Sequence, residues 1–207
     1  PFLRALLDAL DAWARDGTAP PDSVYPQIYG GTLVGWRQKD TRFPALPGVR
    51  YPEVIQRPSA LDLGPDFARR GIISVEPPHL VGDYVVLVPA SDRDGNDRGC
   101  LLPPEVGVPL ATYTGWNLRR REVGAEGMLA SLAGSYIPFP RTAEERKASG
   151  DPRLAVTERY KTFEEYETRL SAYCKKLVGQ RYLTQEDADR AIKAAGRARK
   201  LWERTSE

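Results

Sequence analysis

The sequence predicts an α+β fold in which helices at both ends flank an irregular, proline-rich segment with a few short strands or a hairpin. Three observations support this class. Apolar residues recur at helical spacing near both ends of the chain. Prolines and glycines interrupt residues 19–65. Short apolar runs between residues 72 and 89 have the length and composition of strands.

The first predicted element is an amphipathic helix within residues 1–16. Its apolar side chains recur every three or four residues, at Leu3, Leu6, Leu7, Leu10, Trp13 and Ala14. Gly17 provides a helix end, and Pro20 and Pro21 prevent the helix from resuming. The opposite face is charged, so we expect the helix to lie on the surface of a larger body.

Residues 19–65 predict an irregular segment that wraps around other structure. Short β-like pieces occur at residues 32–34 and 51–56, and Trp36 and Phe43 provide apolar anchors. A loop of this length inside a compact domain is uncommon unless it has a function or covers other elements.

Residues 72–142 contain the predicted strands and an aromatic centre. A short helix at residues 65–70 precedes two predicted strands at 72–75 and 83–89. The dipeptide Asp94-Gly95 predicts a tight turn. Residues 98–102 are therefore expected to return as the hairpin partner of the second strand.

The remaining elements are predicted to be helical. A short helix is expected within residues 124–134, and a capping box at Thr142 opens another brief helix. Residues 162–203 predict a helical pair: Thr162 caps the first helix, and the second runs from Thr184 to about Trp202. We interpret residues 1–207 as a single segment rather than as separate domains.

Composition excludes several classes of protein. Hydrophobic residues make up 41% and charged residues 28% of the 207 residues, which is typical of a soluble globular chain. The 30 basic and 28 acidic side chains nearly balance, which argues against nucleic acid as a partner. No apolar run approaches the roughly 20 residues that a membrane-spanning helix needs.

Candidate catalytic residues are few. A hydrolase nucleophile would lie in a Gly-x-Ser-x-Gly pattern on a strand-to-helix turn, and the chain has no such pattern. Ser135 follows Gly134 but leads into a proline-rich stretch, so a structural role is favoured. His79 is the only histidine and follows two prolines, which favours an exposed loop over a role in proton transfer.

The sequence predicts neither a metal nor a cofactor. Cys100 and Cys174 are far apart, and a single histidine cannot complete a recognisable zinc site with them. Two buried thiols are favoured over a disulfide, and the cellular compartment stays open. The acidic run from Asp92 to Asp97 lacks the glycine and glutamate positions of an EF-hand and is better explained as a turn.

The densest part of the sequence, residues 106–119, and the stretch 134–142 after it form the aromatic centre. Its rings belong to Tyr113, Trp116, Tyr136 and Phe139, and Thr112, Thr114 and Asn117 add polar groups. Such a combination suits the wall of a ligand pocket. It equally suits a packed core, and core packing is the favoured interpretation.

Three stretches, residues 108–118, 132–142 and 148–153, resemble the C-terminal region of a bacterial family named for its α/β-hydrolase domain. The first reads Val-Pro-Leu-Ala-Thr-Tyr-Thr-Gly-Trp-Asn-Leu, and the third reads Ala-Ser-Gly-Asp-Pro-Arg. Shorter pieces agree in the expected order, at residues 3–13, 43–49, 72–78 and 88–96. The resemblance therefore spans nearly the whole chain.

The resemblance implies an esterase-like hydrolase that acts through a serine, an acid and a histidine. The nucleophile, the main parallel sheet and a histidine in a Gly-Thr-x-His setting are expected upstream. No catalytic residue of the family can then be assigned here. Because the chain starts at Pro1, without a methionine, we expect a piece of a longer protein rather than a complete doubly wound sheet.

The expected function is the C-terminal portion of a serine hydrolase that is inactive alone. It would contribute core and a candidate substrate-pocket wall made by Tyr113, Thr114, Trp116, Asn117 and Tyr136. Its partners would be the upstream part of the same polypeptide and a small ester-like substrate. The alternative is a non-catalytic ligand-binding or protein-interaction module that uses the region around Tyr113, Trp116 and Tyr136.

Overall fold

The structure is a computed structural model that describes residues 1–203. Residues 204–207, the last part of the predicted segment 1–207, lie outside the described residues. Helices and small antiparallel sheets alternate along the described chain, which confirms a mixed α/β class. The described residues form three two-stranded sheets and contain no parallel strand pair. None of the described helices has the length and apolar character needed to cross a membrane.

Helix α1 spans Phe2–Asp16 and ends at Gly17, whose left-handed backbone (φ 67°) lets its N–H reach the carbonyl of Trp13 at 3.1 Å. The helix buries the small side chains of Ala5 and Ala9. Its large apolar side chains, Leu3, Leu6, Leu7, Leu10 and Trp13, are between 46% and 82% exposed. The predicted apolar stripe is therefore present, and solvent covers it.

The proline-rich segment contains β1 (Leu33–Gly35), α2 (Gln38–Thr41) and β2 (Ser59–Asp62). Strand β1 overlaps the predicted piece at 32–34, whereas the predicted piece at 51–56 is not a strand. In that piece Pro52 has no N–H to donate to a ladder. The side chain of Tyr51 instead donates a hydrogen bond to the carbonyl of Trp36 at 2.9 Å.

Helix α3 (Phe67–Arg70) lies where a short helix was predicted, and β3 (His79–Asp83) and β4 (Leu87–Pro89) follow it. Strand β3 pairs with β2, and the two strands are exposed along most of their length. The prediction of a strand at 72–75 was wrong. The backbone N–H of Ser74 turns back to the carbonyl of Leu63 at 3.0 Å.

The prediction of a hairpin was also wrong, because it assigned the wrong partner strand. The predicted strand 83–89 is split, and its second half, β4, pairs antiparallel with β1. Residues 98–102 form no strand. The tight turn itself is present: Gly95 has a φ of 82°, and Ser91 and Asp97 form a β-bridge across the turn.

The aromatic stretch folds as α4 (Pro104–Gly107) followed by β5 (Ala111–Thr114), which pairs antiparallel with β6 (Ser135–Pro138). This strand pair was not predicted from the sequence. A short 3-10 helix occupies Arg121–Val123. The helix predicted within 124–134 is absent, because the N–H of Ala130 returns to the carbonyl of Asn117 at 2.7 Å.

Four α-helices follow β6: α5 (Ala143–Ser149), α6 (Val156–Arg159), α7 (Phe163–Gly179) and α8 (Gln185–Ala195). The capping predictions at Thr142, Thr162 and Thr184 are confirmed, since each hydroxyl accepts a backbone N–H three residues later. Helix α8 ends earlier than predicted, and the 3-10 helix Gly196–Leu201 follows it.

The main hydrophobic core lies around α7. Its buried face carries Phe163, Tyr166, Leu170, Cys174 and Leu177. This face packs against side chains from the segment just after β6, from α6 and α8, and from the turn between α7 and α8. The helical pair therefore provides the support for the aromatic stretch.

Candidate functional site

The candidate site is built on the β5–β6 pair. Tyr113 and Tyr136 are direct partners in its register, and their ring centroids are 5.4 Å apart with an interplanar angle of 70°. Tyr136 is largely exposed, whereas Tyr113 is half-buried. Edge-to-face rings at this separation attract each other. The two strands thereby present a paired phenol surface.

Burial is the main cause that raises the pKa of Tyr113 above its ordinary value of 10.0, and the neighbouring Tyr136 and Glu105 act in the same direction. Burial likewise raises the pKa of Tyr166 to about 12. Both phenols are therefore protonated at neutral pH. They can donate hydrogen bonds but cannot serve as bases.

Trp116 lies in a separate aromatic cluster. Its ring centroid is 5.5 Å from that of Phe43 and 5.7 Å from that of Tyr51, and Phe43 and Tyr51 are themselves 5.4 Å apart. These contacts attach the proline-rich segment to the end of β5. The side chain of the next residue, Asn117, is exposed.

Thr114 and Ser135 close the end of the strand pair. The backbone N–H of Ser135 donates to the hydroxyl of Thr114 at 3.1 Å, and the Ser135 hydroxyl donates to the carbonyl of Trp116 at 3.0 Å. The Thr114 hydroxyl donates to the same carbonyl. The structure therefore uses the Ser135 hydroxyl to hold the turn after β5.

A buried polar network that was not predicted from the sequence contacts both strands. Its members are each at most 7% exposed: Asp94, Asn96, Thr112, Asp151 and Arg153. The Asn96 amide donates to the carbonyl of Ala111 at 3.2 Å and accepts the N–H of Tyr113 at 2.8 Å. Asn96 therefore completes the hydrogen bonds of the free edge of β5.

Arg153 is the centre of this network. Its guanidinium donates to the hydroxyl of Thr112 at 2.8 Å and to the carbonyls of Ile137 and Pro138 at 2.9 and 3.1 Å. It also forms two hydrogen bonds to the carboxylate of Asp151, at 3.0 and 2.6 Å. One side chain thus connects β5, β6 and the loop after α5.

A second buried ion pair joins Arg159 of α6 to Asp94 of the turn. Phe139 lies between the two arginines, with its ring centroid 5.0 Å from the guanidinium carbon of Arg153 and 4.3 Å from that of Arg159. Both distances suit cation–π attraction. The residues that position the phenol surface are therefore charged but buried. The fragments Asp-Arg-Asp-Gly-Asn and Gly-Asp-Pro-Arg were the sequence features that could have indicated them.

Residues 1–193 match the family described as an alpha/beta hydrolase domain. The chain belongs to this family. No curated protein and no solved structure matches the chain. The mixed α/β architecture of the described residues agrees with an alpha/beta hydrolase domain, although their sheets are small and antiparallel.

In this alpha/beta hydrolase domain, the described residues do not assemble a serine–histidine pair. His79 lies at the start of the exposed strand β3, opposite Asp62, rather than in the loop that was predicted. No hydrogen bond connects it to Ser135 within residues 1–203. Ser135 lies on a strand, not on the strand-to-helix turn of a hydrolase nucleophile.

Metal ligands are not grouped in the described part of the chain. No cluster of three or more His, Cys, Asp or Glu side chains has the geometry to hold an ion there. Cys100 is half-buried, Cys174 is buried, and both are free thiols. Burial is the main cause that raises the pKa of each thiol, so neither is an activated nucleophile.

Proposed function

We propose that this chain is the C-terminal portion of a bacterial, esterase-like serine hydrolase. In this role it covers the nucleophile-bearing part of the same polypeptide and supplies one wall of the pocket for a small ester. The observation that carries the proposal is helix α1, which exposes Leu3, Leu6, Leu7, Leu10 and Trp13 along one face. In α/β proteins, helices turn such a face toward the parallel sheet.

The total surface supports a missing covering layer. The chain exposes 14207 Å². A compact monomer of 23.1 kDa would expose about 9,700 Å². The chain is therefore more open than a compact monomer of its mass. We infer that a sheet from the upstream part of the polypeptide covers α1.

The pocket wall is assigned to Tyr113, Thr114, Trp116, Asn117 and Tyr136. Burial keeps the Tyr113 phenol protonated, and neither the Tyr113 nor the Tyr136 hydroxyl has a hydrogen-bond partner within residues 1–203. A phenol held in this way can donate to the carbonyl oxygen of an ester, where negative charge develops during hydrolysis. The buried network at Arg153 fixes the strands that carry these phenols.

The isolated 207-residue chain should therefore be inert toward esters. We expect 4-nitrophenyl butyrate to be hydrolysed no faster by the wild-type chain than by the His79→Ala or Ser135→Ala variant. Turnover that either substitution abolishes would overturn the proposal, because the chain would then contain its own nucleophile or base.

A second experiment tests the positive part of the proposal. The chain should be expressed together with the polypeptide encoded upstream of Pro1. Ester hydrolysis by this longer protein should then be compared between the wild type and the Tyr113→Phe variant. We expect a loss of about ten-fold in kcat/KM, which corresponds to one hydrogen bond made in the transition state. Tyr29→Phe, at a fully exposed position, is the matched control.

The alternative, a non-catalytic binding or interaction module, makes a different prediction. A ligand that the isolated chain binds, and that Trp116→Ala abolishes, would favour that class. Trp116 packs against Phe43 and Tyr51. The same variant should therefore be checked for a folded proline-rich segment.

A further inference from the structure

A cavity of about 550 Å³ opens between β6 and the helical pair, away from the Trp116 cluster. Small side chains make part of the space, because four of the lining residues from α8 and the 3-10 helix after it are alanines, among them Ala194 and Ala198. Leu170 of α7 and Tyr136 of β6 provide larger apolar surface. The volume lies in the range of small-molecule sites, about 300–1,000 Å³.

Tyr166 supplies a polar group to this cavity. The residue is only 4% exposed and lines the cavity wall. Its hydroxyl has no hydrogen-bond partner within the described residues. The described chain has no enclosed polar side-chain atom without a partner, so this hydroxyl must be open to the cavity. Burial raises the pKa of Tyr166 to about 12, which keeps the phenol protonated and in need of an acceptor.

The rim of the cavity is positively charged on the α8 side. Arg197 and Lys200 are exposed lining residues, and neither forms an ion pair within residues 1–203. Glu105 is the acidic member of the lining. The lining therefore carries a net positive charge, with two free cations and one carboxylate. A carboxylate has enough lone pairs to accept from the phenol and from both cations.

We propose that this cavity binds a medium-chain carboxylate, with the alkyl chain against Leu170 and the alanines and the carboxylate between Tyr166, Arg197 and Lys200. The inference concerns binding only and does not depend on the chain taking part in ester hydrolysis. Glu105 opposes the bound anion, so removing its charge strengthens the complex.

The test is titration of the 207-residue chain with decanoate, followed by tryptophan fluorescence. Trp202 stacks on Tyr166 at 5.6 Å and reports on the site. We expect saturable binding that is about ten-fold weaker for decanol, which has the same chain without the charge. Decanol binding as tight as decanoate, or no saturable decanoate binding, would overturn the proposal.

Variants distinguish this cavity from the exposed apolar surface elsewhere. The double variant Arg197→Ala/Lys200→Ala should weaken the binding of decanoate about ten-fold, and Glu105→Gln should strengthen this binding about three-fold. Ala194→Leu fills the cavity from an exposed position and should abolish binding. Lys193→Ala, in α8 beside the lining residue Ala194 but itself outside the lining, is the control and should change nothing.

Tyr166→Phe should weaken the binding of decanoate about five-fold, because a single hydrogen bond to a charged acceptor is lost. Circular dichroism establishes that each variant is folded. If Tyr166→Phe unfolds the core, the surface variants still decide the question. Equal losses for Lys193→Ala and for the double variant would show unspecific attraction and would contradict the site.

Discussion

Asp151 and Arg153 form an ion pair that is almost fully enclosed, with side chains 7% and 2% exposed and a shortest contact of 2.6 Å. Two residues apart in sequence, they clamp a bend in the loop between α5 and α6. The guanidinium then uses its remaining N–H groups on β5 and β6. The charge is buried because every donor has an acceptor, which is the condition under which burial of a charge is tolerated.

Replacing Arg153 with alanine should cost about 3–5 kcal/mol of unfolding free energy, because the variant leaves the Asp151 carboxylate buried without its partner. Urea unfolding followed by circular dichroism measures the loss. Arg15→Ala removes an exposed pair with Asp11 and should cost under about 1 kcal/mol. Similar losses in the two variants would show that the buried network contributes little.

The same pair predicts a dependence on pH. Burial alone would raise the pKa of Asp151, but the hydrogen bonds from the Arg153 side chain and backbone outweigh burial and lower the pKa below its ordinary value of 3.8. A lowered pKa in the folded state adds stability above the unfolded pKa, and this stability is lost as pH falls through the folded pKa. The stability gap between wild type and Asp151→Asn should therefore be constant near pH 7 and shrink below pH 3.8. Urea midpoints at pH 7, 4 and 3 test this, and a gap that widens on acidification would contradict it.

Gly95 should tolerate no side chain. Its φ is 82°, and a Cβ atom would lie 2.9 Å from both the Phe43 ring and the Thr112 methyl group. Gly95→Ala should lower the unfolding free energy by about 3 kcal/mol or more, because the strain of a left-handed backbone and a steric clash in the core act together. Gly17→Ala is the matched control, with a similar φ of 67° and open space around it, and should cost about 1 kcal/mol. If the two losses are equal, backbone strain alone is responsible.

The N-terminal cap of α7 should matter more than a threonine inside the helix. The Thr162 hydroxyl accepts the N–H of Glu165 at 3.1 Å, so Thr162→Ala should cost about 1 kcal/mol. Thr168 is exposed in the body of the same helix and donates to the carbonyl of Glu164. Thr168→Ala should be neutral or slightly stabilising, because alanine is the better helix former. Thermal melting of both variants decides the order.

Sequence reasoning located the elements whose determinants are local. The threonine caps at 142, 162 and 184 and the glycine at 17 lie beside the helix ends they set. The strand partners were not local: β4 pairs with β1, more than fifty residues earlier, and β5 pairs with β6 across a long connection. Short apolar runs carry no information about which distant run they join.

The site was partly accessible from the sequence. Tyr113 and Tyr136 were selected as candidates because aromatic residues cluster there, and the structure brings their rings together. Asp94, Asn96 and Arg153 were overlooked because such residues are exposed in most proteins. Only their mutual contacts, which join segments far apart in sequence, explain their burial.

The buried arginines also set the order in which this chain can fold. Arg153 reaches Thr112 across 41 residues, and Arg159 reaches Asp94 across 65 residues. Arg153 can meet Asp151 locally, but neither guanidinium can make its long-range contact until the intervening loop has closed, and loop closure comes before the contacts that reward it. We therefore expect these two long-range contacts to form late, so that their main kinetic effect is to slow unfolding rather than to speed folding.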